Sequence, residues 1–464
     1  MTAPETAAPA PPIPAILPRP SAPGRSTHQF LVYGDSCSGV PGGRHEATTA
    51  AVNRVAARLD PPPEFVCFLG DEVLGLTTDE AALRRQWSYW FDHEMAWLDR
   101  SRIPLYHTTG NHTTYSTMSE RVYAEVMAHL PANGPEDQRQ RSYFVRDRDL
   151  LMVFVNTAWT GLGEGRVELD WLDRVLTAHA DAAYTLVCGH HPVFATNGFA
   201  GPLVRTLDPE NGRRFWDVLR RHGVLAYLCS HMLAFDAQVH DGILQMMTAG
   251  AGTSHRIPEE AEYLHAVQVA LDADGLRYQV LDTEGVVRER LDWPLRLPPA
   301  SAWTPIPTGI APHDRDPATV QAWRFSGITA ETGGHAQTLL ALWNDDPWLP
   351  ACWVGLIGPD QELAVRLSPV AGRSANLWRG PAIGADAPFS VDVAFWPSLG
   401  PGGFLWRRDE ASPWTSMTGI SAWGVERLPA TAWRSTGHAK GTPDEEPFRG
   451  RALRVTAAPQ AVAP

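Results

Sequence analysis

The chain is short of cysteine, with five in 464 residues, at positions 37, 67, 188, 229 and 352. So sparse, odd and irregular a set cannot frame a disulfide scaffold. Cys67, Cys188 and Cys229 fall inside apolar runs and read as small buried hydrophobes. Long hydrophobic stretches are lacking too, none nearing the roughly 20 apolar residues that cross a bilayer as a helix, so no membrane partner is expected. Basic charge is scarce: 39 Lys and Arg against 52 Asp and Glu leave a net charge of −13. That balance argues against nucleic acid, which calls for a basic patch. The N-terminus has no basic start leading into an apolar core and does not read as a signal peptide. Residues 1–27, rich in Ala and Pro, read as a disordered leader. Together these absences point to a reducing, cytoplasmic setting.

What is there is the composition of a soluble globular protein, 44% hydrophobic and 20% charged, and too long for one ordinary domain. Five short segments in the first half end in residues that bind divalent metals. They are GDSCSG with Asp35, LGDEV with Asp71, TGNH with Asn111 and His112, CGHHP with His190, and CSHML with His231. Apolar runs that read as strands precede four of them: FLVY, FVCFL, TLVC and VLAYLC, and IPLYHTTGNH reads as a strand and site loop. Strand ends along one sheet edge are where an α/β fold gathers ligands from distant sequence. Asp, Asn and His offer oxygen and imidazole donors suited to a hard or borderline ion. One Gly-Asp is a common turn; five such segments in order are a site.

Their order and wording resemble the calcineurin-like metallophosphoesterases, whose signature runs Asp, Gly-Asp, Gly-Asn-His, His, then Gly-His-x-His. The likeness spans roughly residues 28 to 292. GHHPVF, and TAGAGT after the last His, are similar to the purple acid phosphatase branch. The resemblance implies a two-sheet sandwich flanked by helices, holding one or two divalent or trivalent ions (Fe, Zn or Mn) and hydrolysing a small phosphorylated substrate, phosphomonoester or phosphodiester. It implies Asp71 as the bridging carboxylate, Asn111, His190 and His231 as ligands of one ion, and His112 as the catalytic imidazole. Asp35 would be a ligand of the other ion or a base that orients water.

The chain departs from the family around that other ion. Cys37 stands where many members have His, Leu74 where the purple acid phosphatases have Tyr, Leu233 where the signature ends in His, and Ser230 where it has Gly. A thiolate binds zinc or iron well, so Cys37 is a candidate ligand beside Asp35 and Asp71. His45, His107, His191, His240 and His255 are the imidazoles available as surrogates. The main expectation is therefore a metal-dependent phosphoesterase with an altered first site. The alternative is a non-catalytic or mononuclear metal-binding protein whose C-terminal domain binds a carbohydrate or protein partner.

Along the chain, helical patterns cover His45 to Leu59, residues 79–100, Glu168 to Ala180 and Glu210 to His222. SYFVRDRDLLMVFVNTA reads as a hairpin turning at Arg146 to Asp149, and alternating strands fill the stretch up to Trp293. These place a metallophosphoesterase-like domain at 28–293, followed by a Pro-rich linker over 294–312. Residues 313–464 show short alternating strands between Gly and Pro turns, and 11 of the 18 Trp lie beyond residue 300. This is the pattern of a β-sandwich, and it resembles the concanavalin and laminin-G type of jelly roll. Its rings would serve either as sugar-stacking platforms or, the better reading, as core.

Overall fold

HQFLVY is buried at every position, as befits a strand covered on both faces rather than an edge. The computed structural model describes residues 10–20, 23–158, 165–197, 206–253, 263–307, 309–316, 319–344, 350–368, 376–396, 403–420, 432–435 and 446–459. In it this run is β1 (His28–Tyr33), from which α1 (Glu46–Ala56) leads to β2 (Phe65–Phe68), parallel to β1 with Phe30 opposite Phe65. α2 (Glu80–Tyr89), capped by the Asp79 carboxylate, leads on to β3 (Leu105–His107), parallel to β2. The helical pattern of 79–100 is interrupted after Tyr89 by a π turn over Trp90–Glu94. There Trp90 packs edge-on against Trp87 and Phe91.

α3 (Thr117–Val126) has no counterpart in the sequence reading. A reciprocal capping box between Ser116 and Ser119 starts it, and it buries little beyond Val122 and Tyr123. The expected hairpin is present as β4 (Tyr143–Asp147) and β5 (Leu150–Phe154), reversing at Arg148 and Asp149. Then come α4 (Leu169–Ala178), β6 (Tyr184–Cys188), α5 (Pro209–Arg221) and β7 (Ala226–Cys229), with β6 parallel to both β5 and β7. β8 (Phe235–His240), β9 (Ile243–Thr248), β10 (His265–Asp272), β11 (Gly275–Asp282) and β12 (Val287–Trp293) complete the series. One six-stranded sheet runs β12-β11-β10-β1-β2-β3 and the other β8-β9-β7-β6-β5-β4. Parallel strands, β1-β2-β3 at one side of the first sheet and β5-β6-β7 within the second, put the strand ends that carry the five motifs on the C-terminal edges of two sheets.

The leader corrects one expectation. Over residues 10–20 it is pinned rather than disordered. Ile13 and Pro14 pair in parallel with Leu59 and Asp60, and Ile13 is buried. The Ile16 N–H donates to Gln268 Oε1 at 2.7 Å and the Arg19 N–H to Asp272 Oδ2 at 2.7 Å. The Arg19 guanidinium bonds Asp274 at 2.8 Å and Asp292 at 3.2 Å. An Ala/Pro composition cannot form a core of its own, but it can lie as an extended strip against one already built.

The chain divides into two compact units: Met1–Val193, Arg205–Phe235 and Met246–Pro294 form the first, and Phe194–Val204, Asp236–Gln245 and Leu295–Pro464 the second. The second is all-β among its described residues. In it, antiparallel sheets of six and seven strands contribute to one apolar core that includes Trp323, Phe325, Leu340, Val354, Trp378 and Phe404. Trp303, Trp323, Trp343, Trp353, Trp378, Trp396 and Trp414 are buried, so these seven rings serve as core, each contributing a few kcal/mol of burial. Asp392, with no exposed surface, is clamped by two guanidiniums. Arg324 donates to it at 2.6 and 2.9 Å, and Arg407 at 2.9 Å.

Candidate metal centre

Five non-glycine residues of the motif loops hold left-handed backbone: Asp35 at φ 65°, Cys37 at 42°, Asp71 at 55°, His231 at 77° and Leu233 at 48°. Side chains resist this region, and such strain persists only where surrounding contacts enforce it. Here the loops lock one another. The Asp35 N–H donates to the Gly70 carbonyl at 3.1 Å and the Cys37 N–H to the Asp71 carbonyl at 2.7 Å. The His112 N–H donates to Asp71 Oδ1 at 2.8 Å. Gly110 allows that approach, because a Cβ there would overlap the Asp71 carboxylate.

The arrangement brings Asp71, Asn111, His190 and His231 together. His190 Nδ1 donates to the Leu69 carbonyl at 2.8 Å, which turns Nε2 toward the other three. Around Nε2 lie Asp71 Oδ2 at 3.3 Å, Asn111 Oδ1 at 3.2 Å and His231 Nδ1 at 3.1 Å. Burial pulls the His190 imidazole down, but the Asp71 and Asp35 carboxylates outweigh it and hold it up at about 9. Burial pushes Asp71 up, and the imidazoles of His190 and His112 outweigh it, bringing the carboxyl to about 2. With His190 protonated, its imidazolium supplies the positive charge that Asp71 calls for; once that proton is displaced, four buried lone-pair donors face one point, a set that fits a divalent ion.

A second group shares Asp71. Cys37 Sγ, an Asp71 oxygen and a His112 ring nitrogen lie within 4.8 Å of one another. His112 is half-buried, with Nδ1 donating to the Leu74 carbonyl at 2.8 Å. Asp35 belongs to neither group among the described residues. Its Oδ2 accepts from the Ser230 hydroxyl and from the His231 N–H at 2.7 Å, so the carboxylate anchors the turn that carries His231. Burial lifts its carboxyl to about 6.

Other imidazoles are committed elsewhere. His107 bonds Glu72 at 2.8 Å with neither side chain exposed. Burial drives the His107 imidazole well down and the Glu72 carboxyl well up. His45 Nδ1 donates to the Cys37 carbonyl at 2.9 Å and steadies that loop. His191 stacks 4.3 Å from His231, with Nδ1 3.1 Å from the Thr157 hydroxyl. His240 stacks on Phe194 in the second unit, and His255 lies outside the described residues.

Sequence reasoning missed the supporting role of three residues. The Thr157 hydroxyl accepts the N–H groups of both His190 and His191 at 3.1 Å. The Thr253 hydroxyl donates to the Asp35 carbonyl at 2.6 Å, and the Ser230 hydroxyl reaches the Asp35 carboxylate. Thr253 and Ser230 sat inside segments already singled out; Thr157 carried no signal.

Residues 28–235 match the sequence profile of the calcineurin-like phosphoesterases. No curated protein matches the chain. Among solved structures, a dimetal phosphatase from Danio rerio is 17% identical, with 57% of this chain and 98% of that one covered at a TM-score of 0.41. A purple acid phosphatase from yellow lupin is 13% identical, with 58% of this chain and 54% of that one covered at 0.45. A sialidase carbohydrate-binding module from Ruminococcus gnavus is 12% identical, with 30% of this chain and 77% of that one covered at 0.23. No helix among the described residues is long and apolar enough to cross a membrane.

Proposed function

We propose that this protein is a metal-dependent phosphoesterase whose essential ion is held by Asp71, Asn111, His190 and His231. The observation that carries the reading is the convergence of Asp71 Oδ2, Asn111 Oδ1 and His231 Nδ1 within 3.3 Å of His190 Nε2, inside the span that matches the phosphoesterase profile. An ion bound there supplies Lewis acidity that draws charge from phosphoryl oxygens. The chain's own part is preorganisation. The Leu69 carbonyl sets the tautomer of His190, Asp35 and Ser230 fix the turn bearing His231, and the His112 N–H orients Asp71. Side chains held this way need little reorganisation when substrate arrives. His112 stands at the more open side with Nδ1 committed to Leu74, leaving Nε2 for substrate or ion. For the second unit we infer a concanavalin-type jelly roll, supported by two antiparallel sheets about one core. Its buried tryptophans favour packing over sugar stacking.

The test is hydrolysis of aryl phosphomonoesters and phosphodiesters by protein supplied with Mn, Zn or Fe, with metal content measured on the same samples. Asn111→Ala and His231→Ala are each expected to lose the ion and at least about a hundredfold in turnover. Undiminished turnover in either variant would rule the assignment out.

A further inference from the structure

The ordinary ligand set for a second ion is broken in this chain, with Cys37 and Leu233 where imidazoles are expected and Asp35 turned to Ser230 and the His231 N–H. The structure nonetheless brings a different set of donors to Asp71. We infer that Cys37 and His112, with Asp71 shared between the two centres, form a rebuilt second metal site. His112 is then a ligand rather than the catalytic imidazole that the family resemblance implies.

Several observations converge on this. Cys37 Sγ, the Asp71 carboxylate and a His112 ring nitrogen lie within 4.8 Å of one another. Donors to one tetrahedral zinc stand about 3.5 Å apart, so the three lie within an ångström or so of the separation one ion would draw them to. Cys37 and Asp71 are both nearly fully buried, while His112 is half-buried, leaving one open side. Three protein donors and an open position are the pattern of a catalytic rather than a structural ion. His112 Nδ1 donates to the Leu74 carbonyl at 2.8 Å, the outer contact that fixes a ligating imidazole and leaves Nε2 with its lone pair. The loop that carries this carbonyl is locked against His112, since a Cβ at Gly75 would overlap the His112 carbonyl and the Gly75 N–H donates to Gln86 Oε1 at 2.8 Å. Cys37 is held just as firmly, with its N–H on the Asp71 carbonyl and its carbonyl accepting from His45.

The two centres then differ in character. Oxygen and imidazole donors surround the first, whereas sulfur, imidazole and carboxylate surround the second. The softer set selects zinc over manganese or magnesium. The inference rests on Asp71 being a ligand, as the proposed phosphoesterase requires, but it does not rest on turnover.

The experiment loads full-length protein with Co2+ or Zn2+, removes free metal, and measures ions per chain together with the cobalt absorption spectrum. The wild type should hold about two ions per chain and show the sulfur-to-cobalt charge-transfer band. Cys37→Ser and His112→Gln should each retain about one ion and lose that band, with unchanged melting of the ion-free protein as the folding control. If His112→Gln retains two ions and the sulfur band, His112 is not a ligand and the inference fails. A wild type that binds one ion without the band overturns it as well. Two ions with no hydrolysis of any phosphoester would sink the phosphoesterase reading and leave this site standing. Hydrolysis supported by a single ion does the reverse.

Discussion

Asp71 and Asp392 are buried carboxylates in different units of this molecule, and they are treated in opposite ways. Asp392, in the second unit, is wrapped by Arg324 and Arg407, so its charge is neutralised within the fold by cations that never lose their protons. Asp71, in the first, shares its surroundings with Asn111, His190, His231 and the Cys37 thiol, most of which offer lone pairs. A carboxylate clamped by arginines belongs to the architecture, while one that meets imidazole, amide and thiol donors has a set that could hold an ion. The backbone tells the same story. The Asp71 loop is held in left-handed geometry, whereas Asp392 lies within a regular strand (Pro388–Phe395).

Stability measurements on ion-free protein break or sharpen this contrast. Asp392→Ala leaves two partly buried arginines without their partner and should cost about 3–5 kcal/mol in urea denaturation. Asp71→Asn should change stability by less than about 1 kcal/mol, or raise it, while abolishing metal binding. Asn keeps an oxygen for the His112 N–H, and His190 can shed its proton where an arginine cannot. Equal losses in the two variants would mean Asp71 is architectural and the contrast false.

Asp236 probes the contrast from inside the second unit. Its side chain is fully buried, Gln238 donates to Oδ2 at 2.5 Å, the Asn197 backbone also bonds the carboxyl, and Oδ1 has no partner among the described residues. Burial lifts this carboxyl to about 7. The folded state therefore holds a proton that the unfolded state releases near pH 4, so stability falls as pH rises from about 4 to about 7. Between pH 5 and pH 8 that contribution amounts to about 2–3 kcal/mol. Asp236→Asn should remove it, and the difference between variant and wild type should widen toward pH 8. A difference independent of pH would show that Asp236 finds a cation in solution and belongs with Asp392.

Much of the cluster was legible in sequence because each of its residues follows an apolar strand, and strand order alone carries those ends to neighbouring edges. Asn111, His190, His231 and Asp71 meet for that reason. Asp35 shows where such reading stops. Its motif places it at the site, but whether its carboxylate faces an ion or Ser230 depends on a contact spanning 195 residues. His112 and Cys37 are alike in this, since only packing against Leu74 and Asp71 reveals that their donors approach. In the fold, α3 escaped notice because its cap uses two serines and its buried face is narrow. The leader escaped for a different reason. Residues 10–20 have no pattern of their own, and their order comes from Gln268 and Asp272, about 250 residues away.

The smallest effect concerns how Asp35 serves the first centre at one remove. Ser230→Ala removes one of two donors to Asp35 Oδ2, leaving the His231 N–H at 2.7 Å. Losing one hydrogen bond to a buried carboxylate should cost about 1–2 kcal/mol. Burial already holds the Asp35 carboxyl at about 6, and without the hydroxyl it rises further. A raised carboxyl weakens the fold as pH climbs through that range, so the penalty should be larger at pH 8 than at pH 5. The turn at His231, with its left-handed backbone, then loses part of its anchor. Metal affinity at the first centre should fall by about 10- to 100-fold, the range typical of residues that orient a ligand. Should affinity hold while stability drops equally at both pH values, Asp35 would be a plain structural carboxylate, and the His231 turn would owe its strain to other contacts.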